Sequence, residues 1–130
     1  MSGESVTGVW YGRWASETAW VTPNRFIALL DEQAGRISGT VSEPDLQGGM
    51  PLHAMLRGAR SGGAIHWVKQ YDGAGRLAHA VHYAGDVRED ATRITGTWRF
   101  STYSGTFAME RERFSVEELS EEILLEVPVR

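Results

Sequence analysis

Hydrophobic and polar residues alternate along much of this chain. The clearest case is Ile65-His66-Trp67-Val68-Lys69-Gln70-Tyr71, followed after a Gly-rich turn by Leu77-Ala78-His79-Ala80-Val81-His82-Tyr83-Ala84-Gly85. A period of two belongs to a strand with two different faces. The turn Asp72-Gly73-Ala74-Gly75 supplies residues that tolerate positive φ. A hairpin centred on Ala74 sets Lys69 opposite His79, Trp67 opposite Val81 and Ile65 opposite Tyr83. One face of that hairpin carries Ile65, Trp67, Lys69, His79, Val81 and Tyr83. It is too bulky and mixed for the solvent side of a sheet, and it reads as the lining of something concave.

Six further runs of strand character occupy residues 9–14, 25–30, 36–41, 52–57, 92–100 and 106–111, which with the hairpin makes eight. The run at 25–30 is apolar on both faces, so periodicity does not assign its inside. A polar loop from Ser42 to Pro51 is the longest connection. Short strands joined by short connections, with no helix between them, predict an all-β, eight-stranded antiparallel up-and-down barrel over residues 6–113, because closure removes the edges an open sheet would leave. The end of the chain differs. Ser115-Val116-Glu117-Glu118 is a capping-box pattern, and Val116, Leu119, Ile123 and Val127 recur at near-helical spacing before Pro128, which predicts a short helix over 115–127 packed on its own barrel or in an oligomer contact.

At 130 residues the chain is one domain, large enough to bury roughly 65–70% of its unfolded surface. The absence of cysteine removes disulfides, thiolate metal sites and cysteine nucleophiles together. No run has the apolar length of a membrane span, and the first residues lack the blocks of a secretory signal, so a soluble, cytoplasmic protein is expected. A net charge of −4 opposes a nucleic-acid partner. Lys69 is the single lysine, which makes it conspicuous on an inward face.

Val6-Thr7-Gly8-Val9-Trp10-Tyr11, Phe26-Ile27, Gly35-Arg36-Ile37-Ser38-Gly39-Thr40, His66-Trp67, Tyr83-Ala84-Gly85 and Ile94-Thr95-Gly96-Thr97-Trp98 follow one another in an order and at spacings that resemble the avidin and streptavidin family, within the calycin group of small ligand-binding barrels. The resemblance spans most of residues 5–112. It implies a barrel with a pocket, in which Trp67 and Trp98 match tryptophans that pack against the ligand. It also implies that a biotin-like polar head would lack partners here, since the corresponding positions read Gly12 and Val41. The same group suggests that Trp10, in Gly8-Val9-Trp10, closes one barrel end beneath Arg111, with a cation–π contact of ~1–2 kcal/mol.

The opposite end is then the mouth. Centring the last hairpin near Thr102 and Tyr103 pairs Trp98 with Phe107, Gly96 with Met109 and Ile94 with Arg111, and pairing Tyr83 with Ile94 brings His79 beside Trp98. The expected ligand-binding residues are Trp14, Trp67, Lys69, His79, Trp98 and Phe107, an aromatic cup with few polar groups. His79 and His82 point to opposite faces and cannot share a metal, and no nucleophile triad, phosphate-cradling loop or inward carboxylate pair is visible, so neither metal nor cofactor is expected. Three functions fit: a binding protein for a small apolar or aromatic molecule other than biotin, an enzyme using Lys69 and His79 on such a molecule, and an interaction module with a filled barrel. The first is preferred, with a homo-oligomer as the open question of assembly.

Overall fold

The computed structural model describes residues 4–46, 48–72 and 80–111, and the alternating runs are its eight strands. These are β1 (Gly8–Ser16), β2 (Asn24–Gln33), β3 (Arg36–Glu43), β4 (Leu52–Ser61), β5 (Ala64–Tyr71), β6 (Ala80–Arg88), β7 (Arg93–Phe100) and β8 (Tyr103–Glu110). Each pairs antiparallel with the next, and β8 returns to β1, closing an up-and-down barrel with no free edge. No helix occurs among the described residues. The segment expected to be helical, 115–127, lies outside them.

Burial follows strand parity, as a closed sheet with one filled side requires. In β2, where the sequence left the inside open, Phe26, Ala28 and Leu30 face inward and Ile27 and Leu29 are exposed. The expected facing of β5 also holds, with Ile65, Trp67 and Lys69 buried and His66 and Val68 outward.

The expected registers do not hold. Lys69 pairs with Val81, Trp67 with Tyr83 and Ile65 with Gly85, two residues from the arrangement centred on Ala74. Across the next pair Tyr83 meets Trp98, and Val87 rather than Tyr83 meets Ile94. In the last hairpin Trp98 pairs with Gly105, Gly96 with Phe107 and Ile94 with Met109. The loop there is the two residues Ser101 and Thr102, with Ser101 at a φ of 54°. All these shifts are even, so every side chain keeps its face while changing its neighbour.

One barrel end is packed shut. Trp10 is fully buried and its Nε1 donates to the Val6 carbonyl at 2.8 Å. The Arg111 guanidinium lies 4.9 Å from the Trp10 ring centroid and donates to the carbonyls of Ala91, Thr7 and Ser5, tying the residue directly after β8 to the segment before β1. Glu32 completes the clasp, accepting from the Val6 amide and from Arg60 Nη1, both at 3.0 Å. The barrel middle is filled by Trp67, Tyr83 and Phe107. The Trp67 and Tyr83 rings stack at 5.5 Å, and Phe107 meets both edge-on at 5.4 and 5.0 Å. Outside, Val9, Tyr11, Leu29, Ile27 and Met55 leave an exposed apolar stripe across β1, β2 and β4.

Candidate functional site

At the other end the ends of β1, β5 and β7 and the adjoining starts of β6 and β8 leave a cup of about 230 Å³. Its wall is aromatic. Trp14 and Trp98 meet edge-to-face at 5.7 Å, Trp20 and Tyr103 do the same at 5.9 Å, and Phe100 and Tyr83 complete the ring. Trp98 is held by a hydrogen bond from its Nε1 to the Ala15 carbonyl at 3.0 Å. That reach depends on Gly105, because a Cβ there would sit 2.6 Å from the Trp98 Nε1 and 1.9 Å from the same carbonyl.

The floor of the cup is polar and buried. β5 carries Lys69 and Tyr71 two residues apart on its inner face, and β3 ends with Glu43 on the parity of Ile37 and Val41. Between these strands β4 presents Ala54, which pairs with Val41 on one side and Tyr71 on the other. Its small side chain lets the two strands' polar groups meet across it. Lys69 Nζ donates to Glu43 Oε2 at 3.0 Å, the Tyr71 hydroxyl donates to the same oxygen at 2.6 Å, and Trp14 Nε1 donates to Oε1 at 2.8 Å. Asn24 Nδ2 donates to the Pro44 carbonyl, pinning the chain directly after Glu43 to the start of β2.

Glu43 is only 2% exposed and Lys69 3%, so the pair is largely withdrawn from bulk water behind the cup, and it carries no net charge. Burial pulls the Lys69 ammonium below its ordinary value, against the charge and hydrogen bond of Glu43, which pull it up. Burial pushes the Tyr71 hydroxyl up, and the Glu43 charge and hydrogen bond add to it. Burial does the same to Tyr83, with a smaller contribution from Glu43. Among the described residues the ammonium makes one hydrogen bond, to Glu43, and otherwise faces the rings of Tyr71 and Tyr83, 4.6 and 5.2 Å from their centroids. Lys69 also borders a void of about 10 Å³ on the core side, lined by Phe26, Leu56 and Trp67, so the barrel is filled below it and open above it.

The sequence-derived site is therefore divided. Trp14, Lys69 and Trp98 line the cup. Trp67 and Phe107 lie deeper, in the stacked core, and His79 lies outside the described residues. Glu43 falls within the loop expected from Ser42 to Pro51, whereas β3 continues through it. The alternation Ile37, Gly39, Val41 extended by two residues points to Glu43, as Ile65, Trp67, Lys69 extended by two points to Tyr71. Trp20 and Val21 come from the loop after β1, where periodicity carries no facing information. Among the described residues no group of three or more His, Asp or Glu is placed to hold a metal ion.

No family model matches the chain, and no curated protein matches it. Among solved structures it is similar to a redesigned β-barrel, with a TM-score of 0.69, 11% sequence identity, and coverage of 83% of this chain and 92% of that one. At that identity the likeness concerns the fold alone: an eight-stranded antiparallel barrel.

Proposed function

We propose that the protein binds a small, neutral, partly aromatic molecule in the cup between Trp14, Trp98 and Lys69. The observation that carries this reading is an apolar cavity of about 230 Å³ ringed by aromatic side chains over a polar floor whose charges cancel. Because Glu43 neutralises Lys69, an anionic ligand would meet no net positive charge and would leave its own solvation behind. A carbonyl or ether oxygen, by contrast, could accept from the ammonium or from the Tyr83 hydroxyl, which has no hydrogen-bond partner among the described residues.

The segments that resemble the avidin and streptavidin family support a calycin-type binding barrel, but not biotin as its ligand. Gly12 leaves no room for a polar side chain at its position, since a Cβ there would lie 2.3 Å from Phe26 Cζ, and Val41 is buried and apolar. A ureido group among such neighbours would lose several hydrogen bonds, each costing roughly 1–3 kcal/mol when left unmade.

Titration with naphthol and with naphthoate, followed by quenching of tryptophan fluorescence, tests the reading. Naphthol should bind saturably and naphthoate at least roughly tenfold more weakly, a difference of about 1.4 kcal/mol. Trp98→Ala should weaken naphthol by a similar factor. Saturable binding of neither probe, or preference for the carboxylate, would reject the assignment, and submicromolar biotin affinity by calorimetry would reject the exclusion of biotin.

A further inference from the structure

Lys69 is the only lysine of the chain, and its amino group sits at the boundary between a closed core and an open cup. A lysine that merely filled space would gain by being sealed on both sides, and a buried ion pair contributes little stability over apolar side chains of the same size. Here the core side is filled and Lys69 lines the cup, with a carboxylate 3.0 Å from its nitrogen and the rings of Tyr71 and Tyr83, which also line the cup, beside it. A desolvated lysine amine with an adjacent proton acceptor, facing an apolar cavity, is the arrangement that carbonyl condensation requires.

We propose that Lys69 condenses with a conjugated or aromatic aldehyde held in the cup, forming an imine for which Glu43 serves as proton carrier and then as counter-ion. This rests on the reading of the cup as a ligand site and names the ligand class. The ammonium first gives a proton to the Glu43 carboxylate. The free amine attacks the carbonyl carbon, a C–N bond forms, and the carbonyl electron pair moves to oxygen, which takes a proton from the nitrogen to give a carbinolamine. Glu43 returns its proton to that hydroxyl, the C–O bond breaks, water leaves and the nitrogen lone pair completes the C=N bond. The product is a protonated imine beside a carboxylate, so charge is unchanged from the starting ion pair and one water is released. The Tyr71 and Tyr83 rings face the cation before and after the step. Trp14 Nε1 and the Tyr71 hydroxyl hold Glu43 in place for both proton transfers.

The test uses dimethylaminocinnamaldehyde and the corresponding alcohol, which can occupy the cup but cannot condense. The unaltered protein has two primary amines, the N-terminus and Lys69, so borohydride reduction followed by peptide mass mapping identifies the reacting nitrogen without any variant. The expected result is one adduct on Lys69, formed at least roughly tenfold faster in the folded protein than in the chain unfolded in urea, and suppressed by the alcohol. Binding of the alcohol with no adduct, or with an adduct at the N-terminus alone, overturns the imine and leaves the binding site standing. Binding of neither compound overturns both. Lys69→Arg, if folded, should bind the alcohol and give no Lys69 adduct. In Glu43→Gln the long-wavelength band of the protonated imine should give way at neutral pH to the shorter-wavelength band of the neutral imine. An unchanged band removes Glu43 from the mechanism.

Discussion

The two ends of the barrel each place a long cation against aromatic rings, and they use it to opposite effect. At the closed end Arg111 spreads its charge over the carbonyls of Ala91, Thr7 and Ser5 and covers the face of Trp10. A planar fork with several donors suits several fixed carbonyls, and the result is a lid built from the segment before β1, the turn before β7 and the residue after β8. At the open end Lys69 concentrates its charge on one carboxylate oxygen and, among the described residues, makes no second hydrogen bond beside the cavity. A buried cation closes a barrel when backbone dipoles satisfy it. It can serve a site when a single carboxylate neutralises it and space remains.

The largest loss of stability is expected at the closed end. Trp10→Ala should destabilise the barrel by ~3–5 kcal/mol, since a fully buried indole is lost, the Val6 carbonyl loses its donor and Arg111 loses the ring it covers. Urea unfolding monitored by circular dichroism checks this, and a loss below about 1 kcal/mol would mean that the lid is dispensable.

At the open end Glu43→Ala should cost about 3 kcal/mol, because it strands a buried ammonium and removes the acceptor of the Trp14 indole and the Tyr71 hydroxyl. Adding Lys69→Met should recover most of that loss, since the pair as a whole contributes little compared with apolar side chains. A double variant no more stable than Glu43→Ala would show that the ammonium is satisfied without Glu43.

Alkaline titration sharpens the contrast, because its tyrosine and lysine effects all belong to the open end. Tyr71 and Tyr83 have folded values raised above those of the unfolded chain. The stability they contribute is present below about pH 10 and is lost as the pH rises beyond it. Lys69 acts with the opposite sign. Its folded value lies below the ordinary 10.5, so between the two values the folded protein holds fewer protons than the unfolded chain and stability rises with pH. Urea midpoints measured from neutrality into the alkaline range should therefore climb slightly and then fall steeply. Tyr83→Phe should blunt the fall, and a steady decline from neutrality with no rise would contradict the direction assigned to Lys69.

The smallest effect is expected from Arg111→Lys, roughly 1–2 kcal/mol. The charge and part of the cation–π contact survive, while the fork that reaches three carbonyls does not. Thermal melting resolves a change of that size. Ligand affinity at the cup should stay the same, and a parallel loss of affinity would show that the two ends are coupled.

What the sequence by itself determined here is facing. A strict period of two decides which residues of β5 enter the barrel, and this facing is independent of registers that differ by two or four residues from those expected, because even shifts conserve parity. The Trp10 and Arg111 contact was legible through resemblance. The tertiary structure alone decided depth and company. Trp67 and Phe107 share the inward parity of Trp98, yet they fill the middle while Trp98 lines the mouth, because depth depends on the register accumulated around the whole barrel. Glu43 and Lys69 are 26 positions apart on strands that do not pair with each other, and they meet only because the closed sheet curves and Ala54 leaves room between them. Local alternation is a short-range property of the backbone. Contact across a barrel depends on closure, stagger and the size of the side chain in between, none of which is written in any single strand.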